Sequence, residues 1–262
     1  MSTVPVGFTF ATVFIFGLLF GSFLNAVIHR VPLGVDIFRR SFCPQCGKQI
    51  RWYHNVPVVS WLVLRGRCRD CGESIPVRYP LVELAGGLFA VMAVAKWGLS
   101  LSALSMTMFC YLMLVLALID VDHRILPNVI NLPFTVVGIA LSFFDPRIYW
   151  LDSVLGAVLG GGLLYGTAWV YLKARGKEGM GMGDVKMMLL VGAFLGWRGA
   201  FVTIFVGSLL GSIVGIALIR LSRKDWEYAL PFGTFLAAAA IITAFWGHEL
   251  TTWYWQTFGL TQ

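Results

Sequence analysis

Charge is what this sequence is short of. Only 13% of its 262 residues are Asp, Glu, Lys or Arg, about half the roughly 25% usual in a soluble domain. Hydrophobic residues make up 58%, and the mean hydropathy is +0.79. A chain of this length folded in water could bury a large core, but it could not hide this much apolar surface. A water-soluble globular fold is excluded, and a chain that crosses a membrane repeatedly is implied. Acids are the scarcer sign, 13 against 20 Lys and Arg, for a net charge of +7. That excess does not point to nucleic acid, because basic loops retained on the cytoplasmic side of a membrane account for it. A basic stretch is missing ahead of the first apolar segment, which runs into Gly21-Ser22-Phe23-Leu24-Asn25 and not into a small-residue cleavage site. No cleavable signal peptide is expected.

The apolar runs set the organisation. Phe8 to Ile28 is long enough to span, and a polar, basic loop follows from His29 to Tyr79. Leu81 to Asp120 is twice the ~20 residues of one crossing and breaks at Lys96-Trp97-Gly98 into two spans. Val129–Phe144 and Leu151–Leu172 follow, then a short Val185–Gly196, Ala200–Ile219 and Leu230–Trp255. The last carries Trp246, Trp253, Tyr254 and Trp255, suited to an aromatic belt at the interface. Eight crossings put both termini on one side and divide the 20 basic residues seventeen to three, with nine of the seventeen in the first loop. That asymmetry makes the basic loops cytoplasmic and both termini periplasmic. The expectation is an all-α polytopic membrane protein of about eight transmembrane helices with a small zinc-binding cytoplasmic loop domain. Its parts would be a first helix (1–28), the four-cysteine loop (29–80) and a membrane domain (81–262).

Zinc enters through Cys43-Pro-Gln-Cys46 and Cys68-Arg-Asp-Cys71, each pair followed by a glycine, Gly47 and Gly72. Such a tight turn lets two sulfurs reach one tetrahedral ion, so two pairs fill a four-thiolate site. Disulfides are the alternative, but the loop is assigned to the reducing cytoplasm, where they are rare. With all four positions taken by protein, one Zn2+ per chain would be structural. Cys110 lies in an apolar run and reads as a small buried residue.

Two acids stand at the ends of apolar runs. Asp120 closes the third span, and Asp184 opens the sixth after the glycine-alternating Gly179-Met180-Gly181-Met182-Gly183. The topology puts both at the cytoplasmic membrane boundary. Two carboxylates brought together there cannot both ionise easily, so one keeps a proton. The pair then holds a base and an acid for aspartic peptide hydrolysis. Asp184 alone could be a helix N-cap, and an ion-coupled transporter also places acids and glycine breaks near spans. Asp122, beside His123 and Arg124, reads as solvated. Glu83, just inside the second span, is a functional-site candidate or a partner of Arg78. Lys186 reads as snorkelling to the interface or pairing with an acid. The glycines at 156 and 160–162, and those at 207, 211 and 215, read as close helix packing.

Taken together these features resemble the bacterial type IV prepilin peptidases, bifunctional leader peptidase/N-methyltransferase enzymes of the GxGD aspartic membrane peptidase family. The resemblance runs through Gly21–Asn25 with His29-Arg30-Val31-Pro32, the two CxxC pairs, Pro57-Val58-Val59-Ser60-Trp61 and Arg78-Tyr79-Pro80-Leu81-Val82-Glu83. It continues with the Asp120 segment up to Leu126-Pro127 and with Gly181-Met182-Gly183-Asp184-Val185-Lys186. It implies an inner-membrane enzyme that cuts short basic leaders from prepilins and pseudopilins after a glycine. The enzyme would then methylate the new amino terminus, usually Phe, with S-adenosylmethionine. It implies Asp120 and Asp184 as the catalytic pair, and Cys43, Cys46, Cys68 and Cys71 as cysteines tied to zinc and to a methyltransferase-associated loop. Glu83 would belong to the methyl-transfer site. The implied partners are the type IV pilus or type II secretion machinery, membrane lipid and no nucleic acid. A peptidase without methyl transfer, or a transporter, are the alternatives. The four-thiolate loop and Gly21–Asn25 favour the bifunctional enzyme over transport. Asn128 and Thr234 stand where many members have aspartate and proline, and neither is expected to touch the acid pair.

Overall fold

The computed structural model describes residues 5–177, 179–222 and 231–257. The termini, Arg223, Lys224 and the expected start of the last span at Leu230 lie outside the described residues, as do the side chains of Tyr254 and Trp255. The fold is helical, with α1 Val6–Arg30, α2 Val59–Val63, α3 Arg78–Trp97, α4 Leu101–His123, α5 Asn128–Ser142, α6 Trp150–Arg175, α7 Met182–Ser222 and α8 Phe232–Thr257. Among the described residues, five stretches are long and apolar enough to cross a membrane: Val6–Arg30, Arg78–Trp97, Leu101–His123, Trp150–Arg175 and Met182–Leu218. α5 is apolar but shorter. Large apolar side chains stand exposed along these helices, including Phe16 on α1, Val158 on α6 and Phe205 on α7. On helices with no water-facing polar stripe, such side chains meet lipid. The chain is therefore an all-helical membrane protein.

The chain forms two compact units, Met1–Tyr111 and Leu112–Gln262. In the first, α1 packs on α3 along a seam of glycines. A Cβ at Gly17 would stand 2.7 Å from the Gly87 Cα, and one at Gly21 would stand 2.7 Å from the Glu83 Cα. Only missing side chains let the two backbones approach so closely. The seam therefore sets Ser22 and Asn25 of α1 beside the first turns of α3.

In the second unit α7 is one helix only by hydrogen-bond pattern. Gly196 has φ 71° and ψ 179°, where the chain leaves the helical region and glycine carries little penalty. A Cβ at Gly160 of α6 would lie 3.0 Å from Met188 O and 3.1 Å from Ala200 Cβ, while Gly156 faces both Gly192 and Gly196. Residues on either side of Gly196 thus meet the same turns of α6, so the two arms of α7 run antiparallel. The expected pair of spans, 185–196 and 200–219, is this hairpin, with the reversal at Gly196 itself. The glycines at 156, 160 and 161 are packed as expected, whereas Gly162 faces open space. α8 lies on the second arm through Gly207 and Leu236.

Candidate active site and metal centre

Asp120 sits in the last turn of α4, Asp184 in the first turn of α7, and both are buried. The N-terminus of α8 brings them onto one point. A Cβ built on Gly233 would fall 3.0 Å from Asp120 Oδ2 and 3.1 Å from Asp184 Oδ1. The two oxygens cannot be farther apart than the sum of those distances, so the carboxylates face one common point. Any side chain at 233 would occupy that space. The Asp184 N–H donates to Gly181 O at 3.2 Å, closing the first turn of the helix. Beside Asp184, a Cβ on Gly181 would have the Asp184 carboxylate at 3.7 Å as its nearest neighbour. The glycine run therefore leaves the approach to Asp184 clear.

Thr234 corrects one expectation. It was expected to stand clear of the acids, yet its backbone N–H donates to Asp120 Oδ2 at 2.8 Å and its hydroxyl reaches the same oxygen at 3.1 Å. The reason lies in the helix: the first N–H groups of α8 have no partner within it, and a carboxylate satisfies one. A proline at 234 would have no N–H to offer. No spacing rule relates positions 120 and 234, so the sequence signal was only a Phe-Gly pair opening the last apolar run. Asn128 accepts a hydrogen bond from Lys186 Nζ at 2.9 Å. Lys186 thus pairs with an amide and not with an acid. Asp122 is exposed.

The four cysteines converge in the first unit. The Sγ atoms of Cys43, Cys46, Cys68 and Cys71 all lie within 4.8 Å of one another, with Cys43 and Cys71 3.8 Å apart. Four thiolates around one tetrahedral ion at ~2.3 Å would be separated by about 3.8 Å, so the donor set fits a metal of that kind. All four are free thiols. The two halves are built alike. Cys43 N–H donates to Lys48 O at 2.9 Å and Cys68 N–H to Glu73 O at 2.7 Å. Gly47 (φ 67°) and Gly72 (φ 76°) close the turns in the left-handed region, which glycine reaches without strain. Backbone N–H groups of Cys46 and Gln45 hold the Cys43 thiol below its ordinary value, at about 7. That favours the thiolate, the form that ligates metal. Cys110 is fully buried.

Glu83 is buried on α3 and accepts the Val58 N–H at Oε2, 2.7 Å away. It joins the loop to α3 through this bond.

Two family profiles match the chain: the Bacterial Peptidase A24 N-terminal domain over residues 15–97 and the Type IV leader peptidase family over residues 107–216. Among curated proteins, the chain is similar to one from Stutzerimonas stutzeri, 35% identical over 98% of this chain and 96% of that protein. A Pseudomonas aeruginosa protein is 36% identical over 99% and 97%, and an Aeromonas hydrophila protein 38% identical over 95% and 94%. Each of the three is called prepilin leader peptidase/N-methyltransferase. No solved structure matches.

Proposed function

The chain belongs to the type IV leader peptidase family, and we propose that Asp120 and Asp184 are the residues that carry its peptidase chemistry. The protein is an enzyme with two activities, prepilin leader cleavage and N-methylation. The observation that supports the assignment of the acids is their shared approach to Gly233, at 3.0 and 3.1 Å, at the ends of two helices far apart in sequence. In hydrolysis one carboxylate takes a proton from water as its oxygen attacks the scissile carbonyl. The other donates its proton to the carbonyl oxygen; the first then passes the proton it took from water to the departing nitrogen, and the second regains a proton from the tetrahedral diol as the new carboxyl forms. A prepilin has a basic leader followed by a long apolar helix, so its cleavage point, after glycine, falls at the membrane face. In the proposed topology this is the cytoplasmic face of the inner membrane, with basic loops inside and both termini in the periplasm. Prepilins and pseudopilins of the type IV pilus or type II secretion machinery are the proposed substrates, with lipid around the helices.

Residues 81–262 would hold the hydrolytic centre, and the loop 29–80 with Glu83 would serve methyl transfer. Cys43, Cys46, Cys68 and Cys71 would hold one structural Zn2+ that fixes the loop. S-adenosylmethionine supplies, when bound, an electrophilic methyl group whose transfer to an amine leaves a neutral thioether. Incubating the purified protein with a synthetic prepilin and isotopically labelled S-adenosylmethionine tests the whole reading in one mass spectrum. The expected product lacks its leader and carries one labelled methyl on the new terminus. A product cut but unlabelled would leave a peptidase alone, and an uncut substrate would overturn the assignment.

A further inference from the structure

A groove of about 740 Å³ lies in the first unit between α1 and the loop. Along α1 its lining runs from Leu19 through Phe23, both exposed apolar side chains on a membrane-spanning helix, to Arg30 in the last turn. Arg39, Arg40 and Arg51 line it from the loop, and among the described residues no Asp or Glu does. We propose that this groove is a binding site for one anionic phospholipid, with the headgroup phosphate on Arg39, Arg40 and Arg51 and an acyl chain along Leu19 and Phe23. The site lies outside the enzymatic reading and does not depend on it.

The basic part is built and held in place. Arg30 Nη1 donates to Ile37 O at 2.8 Å and also to Arg39 O, which ties residues 37–39 to the end of α1. The Phe38 N–H donates to Asp36 Oδ1 at 2.9 Å and closes a local turn. The Arg39 guanidinium stands 5.2 Å from the centre of the Phe42 ring, and Arg51 Nη1 donates to Tyr53 Oη at 2.7 Å. A guanidinium carries five donors, so one bond to a phenol leaves Arg51 able to grip a phosphate. A groove lined by charge of one sign also concentrates anions.

The apolar part says where the anion comes from. Phe38 and Trp52 also line the groove, yet they are 80% and 82% exposed. The Phe38 ring centre lies 6.4 Å from that of Phe23, so the apolar surface of α1 passes onto the loop without a break. Bare aromatic side chains are costly in water, whereas at headgroup depth the bilayer covers them. Length agrees as well. Leu19 and Arg30 are eleven residues apart, about 16 Å along the helix axis, which is about half of the ~30 Å hydrocarbon core. The lining therefore reaches from the helix end to roughly the depth of one leaflet. A free phosphate or a nucleotide would find the arginines but leave Leu19, Phe23 and Phe38 bare.

The test uses the full-length protein in detergent with dioleoylphosphatidylglycerol and dioleoylphosphatidylcholine, which share their acyl chains and differ in net charge. Native mass spectrometry should show one phosphatidylglycerol retained per chain, with a preference of about tenfold or more over phosphatidylcholine. Replacing Arg39, Arg40 and Arg51 together by Gln should remove that preference, and replacing all three by Lys should keep most of it. Thermal unfolding and metal content check that both variants are folded. Photoactivatable phosphatidylglycerol on the wild type should label peptides within residues 37–57. Equal retention of the two lipids by the wild type, or a preference that survives the Gln substitutions, would overturn the site. So would a Lys variant that loses the preference as fully as the Gln one, or label confined to α6, α7 and α8. Displacement of the lipid by millimolar glycerol 3-phosphate would show that the groove takes a soluble anion and overturn the assignment to lipid.

Discussion

Thr234 sets two donors against one oxygen of Asp120, its backbone N–H at 2.8 Å and its hydroxyl at 3.1 Å, the hydroxyl sharing its proton with Ala117 O at 3.2 Å. Among the described residues α8 directs no such pair of donors at Asp184, which shares with Asp120 the approach to Gly233. The acid pair is thus asymmetric in its surroundings. An oxygen that accepts two hydrogen bonds is the one less free to hold a proton itself. The first prediction follows from the side-chain donor alone, because substitution leaves the backbone one in place. Thr234→Val should lower kcat for prepilin cleavage about tenfold or more, the cost of one hydrogen bond to a charged group. Thr234→Ser should restore most of it. Wild-type kcat in the valine variant would show that the hydroxyl does not act on Asp120.

The acids themselves should be far less forgiving. Asp120→Asn and Asp184→Asn each keep shape and hydrogen-bonding capacity but remove the ability to exchange a proton. Each should reduce cleavage by about three orders of magnitude or more, as expected when one member of a catalytic unit is lost. The double variant should be little worse than either single one, because the residues act together. Cleavage timed by mass spectrometry checks both points, with unchanged metal content as the sign of intact folding. Full activity in either single variant would remove that residue from the reaction.

The cysteine cluster makes a separate prediction. Metal analysis of the purified protein should return about one zinc per chain, and Cys43→Ser or Cys68→Ser should lower that sharply. Because thiolate ligation fixes the loop, its loss should also expose residues 29–80 to limited proteolysis. Protein that carries no metal and resists protease as well as the wild type would mean that the sulfurs cluster for packing alone.

How much of this could be read beforehand depended on the range of the interaction. Helix positions followed from apolar run length, since lipid leaves a chain few other ways to satisfy its backbone. The reversal at Gly196 was visible as an interruption between two apolar runs. Both CxxC turns were legible because ligand spacing is local and each turn ends in its own glycine. The approach of Asp120 to Asp184 was anticipated only through charge bookkeeping, which placed both at one boundary. Thr234 and Gly233 were not legible. Their contacts depend on how α8 docks, and nothing at positions 232–234 advertises a partner more than a hundred residues away. The positive φ of Val58, 61°, was equally hidden, because valine is the last residue that sequence reasoning would put there.

The glycines that bring the helices together give the last prediction. A Cβ on Gly192 would lie 2.0 Å from Gly156 O and 2.2 Å from Gly156 C, whereas Gly162, on α6, has nothing within 4 Å. Alanine is normally the better helix former of the two residues, so propensity alone favours both substitutions. Packing separates them. Gly192→Ala must push α6 and the first arm of α7 apart, at a cost of about 1–3 kcal/mol or more, which corresponds to a drop in Tm of several degrees for a chain of this size. It should also lower cleavage, since the displaced arm carries Asp184. Gly162→Ala should leave Tm unchanged or slightly higher and cleavage intact. Thermal unfolding in detergent together with the cleavage assay decides the matter. Equal behaviour of the two variants would mean that the close backbone contact between Gly156 and Gly192 does not hold the helix that positions Asp184.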